Sequence, residues 1–161
     1  DTARSRGLGD VYKRQREWRL SYFLDNNPLT SEEMLIRLAA FLLIIIFVHQ
    51  IKQNRASALL VLYFVMTTQV VNAIFHVFFS FYFADFSPGA ITGVLLYLPI
   101  NYLIYKAAMN EGYIKNNVEI LILFILGATT FALFEAFGPA VTAVSIVLYP
   151  VFYFLLKTKE A

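Results

Sequence analysis

Residues Ala58–Ala84 read ALLVLYFVMTTQVVNAIFHVFFSFYFA, without one Asp, Glu, Lys or Arg. A bilayer core is crossed by about 20 consecutive, mostly apolar helical residues, so this stretch is long enough to span. Inside it stand Gln69, Asn72, His76 and Ser80, separated by steps of three, four and four. At about 100° per residue these positions form one continuous stripe on a helix. In lipid such groups are disfavoured by roughly a few kcal/mol each unless they meet a partner or water. The stripe is therefore expected to face other helices, and His76 to lie about 12 Å inside the helix end at Ala84.

Four further blocks have the same character: Met34–Ile51, Pro88–Ala108, Val118–Phe134 and Pro139–Leu156. Apolar residues make up 59% of the chain, above the roughly 45–50% of soluble domains. The links between blocks are short, which demands antiparallel neighbours. The expected fold is all-α, a polytopic transmembrane helix bundle with about five spans over residues 34–161, embedded in the lipid bilayer.

Residues 16–33, including REWRLSYFLDNNPL (Arg16–Leu29), are charged and aromatic and read as an interfacial or loop segment. Ser5–Gln15, SRGLGDVYKRQ, resembles the in-frame translation of a sequencing-library adapter, as a metagenomic fragment would carry. Residues 1–15 are on that reading not part of the fold, and the intact chain would hold one more span upstream. Without them thirteen bases fall to nine and eleven acids to nine. No basic surface for nucleic acid is then left. The absence of Cys excludes disulfides and thiolate chemistry.

Charge predicts orientation. Lys52, Arg55, Lys106, Lys115, Lys157 and Lys159 fall on one side of the alternating topology, and Asp85 and Glu135 on the other, although Arg16, Arg19 and Arg37 precede or enter the first span. The positive-inside rule makes the lysine side and the C-terminus cytoplasmic, with a bacterial inner membrane as the expected location. Tyr82 and Phe83 on one side, and Tyr102, Tyr105 and Tyr153 on the other, suit interfacial belts.

A shift of 51 residues lays Phe83–Lys106 on Phe134–Lys157, matching Pro88 with Pro139 and Pro99 with Pro150. Two readings stand side by side: a tandem helical-hairpin repeat, or the shared grammar of membrane helices. Ser87 and Pro88 form an N-cap followed by N1. Pro99 and Pro150 are expected inside helices, freeing the carbonyls of Leu95 and Ile146. Asp85 and Glu135 are expected just before helix starts, where the dipole favours anions.

The functional reading of Asn72 and His76 is a metal or polar site, with Gln69, Ser80 and Glu135 as secondary candidates. Imidazole ligates metals and titrates near neutrality, although a divalent metal such as zinc needs three or four ligands. The competing reading is an interhelical hydrogen-bonding stripe.

The run Asn72-Ala-Ile-Phe-His76, an aromatic stretch, and Phe86-Ser-Pro-Gly-Ala-Ile-Thr-Gly-Val-Leu-Leu-Tyr-Leu-Pro99 resemble the HXXEE family of small, mostly bacterial membrane proteins. Asn72, His76, Ser87, Pro88, Gly89, Thr92 and Pro99 carry the likeness, which extends over Val71–Lys106. The family's His-x-x-Glu-Glu motif is missing; the nearest string, Leu29-Thr-Ser-Glu32-Glu33, has Leu in place of His. The resemblance implies that such a motif, together with His76, would form a metal-ligand set suited to hydrolysis of a small-molecule substrate.

Glu32-Glu33-Met-Leu-Ile-Arg37 also matches the EExxxR of glutamic intramembrane proteases, but no Phe here has a His four residues later. A helix start with a Glu33–Arg37 pair explains it more simply. A transporter using the stripe as a pathway, and a structural subunit or homo-oligomer using it for packing, complete the alternatives.

Overall fold

The computed structural model describes residues 31–82, 88–137 and 139–158. Among the described residues the chain is built of five helices and no strand. The first, α1, spans Ser31–Lys52. The second, α2, runs Arg55–Tyr82 and includes a π-helical turn at Met66–Val71. The third, α3, joins Pro88–Thr92, a π-helical turn at Gly93–Tyr97, and Leu98–Asn110. Then follow α4, Asn117–Phe137, and α5, Pro139–Thr158. Each expected span corresponds to one helix. Three of them, Arg55–Tyr82, Gly89–Asn110 and Asn117–Phe137, are long and apolar enough to cross a membrane. The first fifteen residues, the segment up to Thr30, Asp85 and Ser87 lie outside the described residues.

Local chemistry fixes the links. Between α1 and α2 only Gln53 and Asn54 intervene, and Gln53 takes φ 44° to turn the chain so sharply. Asn54 caps α2, its side chain accepting from Ser57 N at 2.9 Å. After α3 the chain reverses at Gly112, φ 79°, where a left-handed residue costs least. Ile114, 2% exposed, then plugs the link into the core.

Helix α1 already includes Ser31, Glu32 and Glu33, in line with the helix start expected around the Glu33–Arg37 pair. The structure differs from expectation in two instructive places. Glu135 belongs to the last turn of α4, which reaches Phe137, and not to the link. Pro99 does not simply leave the Leu95 carbonyl stranded in an α-helix. The preceding π turn Gly93–Tyr97 absorbs the disruption, with the Leu98 N–H donating to Gly93 O. Helix α5 carries Pro150 inside an uninterrupted α-helical assignment, so the two proline-paired helices differ in local form.

Helix α2 is the axis of the bundle and packs against all four others. Its most apolar window is 56% buried, against 17% for α3 and 11% for α4. Its lower half sends Leu59, Leu60, Leu62, Phe64, Val65 and Met66 into the core. The close approach of α4 depends on Gly127: a Cβ there would stand 3.1 Å from Met66 Cγ and 3.2 Å from Thr67 Oγ1. The outer faces are apolar, with Leu43, Phe47, Leu95, Leu103, Leu121 and Phe154 all exposed. Such a surface is suited to lipid, whereas soluble monomers rarely expose apolar patches beyond a few hundred Å².

Candidate functional site

The polar side chains of α2 gather at three levels. At the lysine-bearing end they tie helices together. His49 Nδ1 shares a 2.8 Å hydrogen bond with Ser57 Oγ, and Ser57 Oγ also lies 2.8 Å from Asn54 O as a donor. Asn54 Nδ2 donates to Tyr153 Oη at 3.1 Å, joining α5. Arg55 donates to Glu119 Oε1 at 2.6 Å and to Tyr113 O at 3.1 Å, joining α4 and the preceding link. Glu119 Oε2 in turn accepts from Lys115 N at 2.9 Å.

At mid-depth α2 passes through the π turn Met66–Val71, and Gln69 faces α3 there, as His76 does further along. Gln69 sits in that turn and pairs with α3: Asn101 Nδ2 donates to its Oε1 at 2.7 Å and to Tyr97 O at 2.9 Å. Thr67 and Thr68 donate back to Tyr63 O and Phe64 O, at 2.9 and 2.8 Å. Tyr105, expected in an interfacial belt, is 7% exposed and donates to Leu62 O. Tyr102 and Tyr82 remain exposed.

At the far end stands His76, half-buried. It lies six residues before Tyr82, about 9 Å along the helix. A 28-residue helix is about 42 Å long against a core of about 30 Å. Counted from the last described residue of α2, His76 lies at least about 9 Å from the helix end, in keeping with a place inside the hydrocarbon layer. The ring lies on α3. A Cβ at Gly89 would stand 2.6 Å from His76 Cδ2, 2.7 Å from Cγ and 2.8 Å from Nε2. One turn on, a Cβ at Gly93 would stand 2.9 Å from Ala73 Cβ. Gly89-Ala-Ile-Thr-Gly93 is thus a GxxxG surface on which α2 rests, with His76 occupying the room left by the first glycine.

Around this contact the other candidates are unevenly placed. Asn72 is half-buried one turn before His76. Ser80 Oγ donates to His76 O at 2.9 Å, tightening the same helix. Thr92 is exposed and donates to Gly89 O at 3.2 Å. Phe75 meets the imidazole edge-on, ring centres 6.0 Å apart, and Phe131 of α4 at 5.1 Å. Pro88 opens α3, and Pro99 begins its last segment. Glu135 is half-buried near the end of α4. Among the described residues no three His, Asp or Glu side chains lie together as a metal ion would require. The GxxxG spacing was visible in the sequence and identifies Gly89 and Gly93. Asn101 carried no such signal, since a single Asn in an apolar helix does not reveal which way it faces.

The family described as protein of unknown function with HXXEE motif matches residues 10–104. The match takes in α1, α2 and most of α3, and with them Asn72, His76 and the Gly89–Gly93 surface. Neither the curated proteins nor the solved structures contain a match to the chain. The sequence holds no His-x-x-Glu-Glu, its two histidines being followed by Gln50-Ile-Lys-Gln and Val77-Phe-Phe-Ser. With well over half of its length covered by the family match, the chain belongs to the HXXEE family.

Proposed function

We propose that the activity of this membrane protein resides at Asn72 and His76, in a site that binds a polar group of a small molecule just below the membrane surface and handles its proton. The observation that carries this reading is the seating of the imidazole on Gly89, in a gap that no side chain could share. A neutral imidazole accepts or relays a proton near physiological pH, and a carboxamide one turn away can orient a ligand. Zinc needs three or four ligands, and the described residues do not supply them. Metal-dependent hydrolysis would draw on the imidazole and two carboxylates of a His-x-x-Glu-Glu motif, in chains that carry one.

The lysine distribution supports a bacterial inner-membrane protein with a cytoplasmic C-terminus. Fusion of a cytoplasm-active reporter to Ala161 tests this; fluorescence is expected, and export of the fusion point would reverse the topology.

Native mass spectrometry and metal analysis of the purified protein, beside His76→Ala and Asn72→Ala, test the site. Both variants are expected to lose a co-purifying small molecule while keeping their helical content. Identical bound species in all three would favour the packing reading, which draws support from Gln69 being taken up by Asn101. Solute flux in liposomes that fell with Asn72→Ala would instead favour a transport pathway.

A further inference from the structure

We propose that the groove between α2, α3 and α4 binds a single-chain anionic amphiphile with a free hydroxyl beside its head. The groove encloses about 490 Å³, within the roughly 300–1,000 Å³ of small-molecule sites. Met66 and Val70 of α2, Leu98 and Tyr102 of α3, and Leu121 and Phe124 of α4 line it. Its rim is open sideways, because Tyr102 is 66% exposed and Leu121 55%. A groove so placed opens to lipid and admits an alkyl chain without crossing water.

Two polar features select the head. Asn101, 1% exposed, lines the groove; its Nδ2 is used by Gln69 and Tyr97, while its Oδ1 has no hydrogen-bond partner among the described residues. A buried acceptor without a donor is costly. The ester carbonyls of a diacyl lipid cannot donate, whereas a free hydroxyl can. The second feature is charge. Lys106 follows Tyr102 by one turn on the same face of α3, and Lys115 precedes the groove residue Asn117 by two; both are exposed. Of the nearby acids, Glu119 is held by Arg55, leaving Glu111 exposed in the link. Basic pockets at this level of a membrane helix bundle suit anionic headgroups. Lys106 lies five residues beyond Asn101, about 7.5 Å along the helix and about 140° around it, so its long side chain must fold back over Tyr102 for one head to meet both.

This site lies toward the lysine end and does not rest on the reading of His76. The test is retention of added lipid by the full chain in detergent, measured by native mass spectrometry. The probes are palmitoyl lysophosphatidylmethanol, palmitoyl lysophosphatidylcholine, dipalmitoyl phosphatidylmethanol and palmitate, so that only the lyso forms carry a hydroxyl. The first is expected to bind at least tenfold more tightly than the others. Leu121→Trp, at the exposed rim, is expected to abolish this preference, and Lys106→Gln to reduce it several-fold, both with unchanged helical content. Equal retention of charged and zwitterionic forms, or full retention by Leu121→Trp, overturns the proposal. So does a lipid-independent dimer that Leu121→Trp dissociates, which would make the groove an interface between copies of the chain.

Discussion

The two ends of α2 use polar residues in opposite ways. At the lysine end Asn54, Arg55 and Ser57 reach across to α1, α4 and α5, and their hydrogen-bonding capacity goes into holding helices in register. At the Tyr82 end α2 meets α3 through two glycines, Gly89 under the His76 ring and Gly93 against Ala73, so close backbone approach holds the helices together. Cross-linking by side chains makes an end rigid but leaves little for a ligand. Packing through glycine achieves contact by dispersion and seats the imidazole against the backbone of α3.

The sharpest way to break this contrast is Gly89→Ala. Its methyl group would overlap the His76 ring, which must rotate away. Retention of the small molecule proposed for the Asn72–His76 site is expected to fall at least tenfold, with thermal unfolding little changed. Gly93→Val meets Ala73 instead, part of a helix backbone that cannot swing aside. Overpacking of this kind costs about 1–3 kcal/mol, measurable by steric trapping in bicelles. At the other end, Arg55→Ala leaves Glu119, whose side chain is 24% exposed, with the Lys115 N–H but without its ion pair. Between the small effect of exposed pairs and the large effect of buried ones, about 1–2 kcal/mol is expected. Asn54→Ala removes the cap on α2 and the bond to Tyr153, with a loss of about 1 kcal/mol. The smallest effect belongs to mid-depth, where a double-mutant cycle of Gln69→Leu and Asn101→Leu should return a coupling of about 0.6 kcal/mol. Were the two ends equally tolerant of their substitutions, the division of labour would not hold.

Hydropathy made the five helices legible because each is a nearly uninterrupted apolar block bounded by Pro, Gly or charge. One end was less so: the helix around Glu135 takes in the residues to Phe137, which the sequence alone places in a link. Periodicity correctly joined Asn72, His76 and Ser80, but it assumes a regular helix. The π turn at Met66–Val71 departs from that regularity, yet Gln69 still faces α3 through Asn101, as His76 does through Gly89. Tyr105 was misplaced. An aromatic near a lysine suits an interface, yet this one finds Leu62 O as a buried partner. The importance of Gly89 was half visible, as part of a family-like run, while its contact with a side chain thirteen residues earlier needed the folded chain.

The account depends on the His76 ring resting against Gly89 of α3, turned away from lipid. Solid-state NMR of the chain in lipid bilayers, with the imidazole and the Gly89 Cα carbon-labelled, measures this contact directly. A strong ring-to-Gly89 dipolar coupling is the predicted result. Ring coupling to lipid acyl protons with none to Gly89 would contradict it.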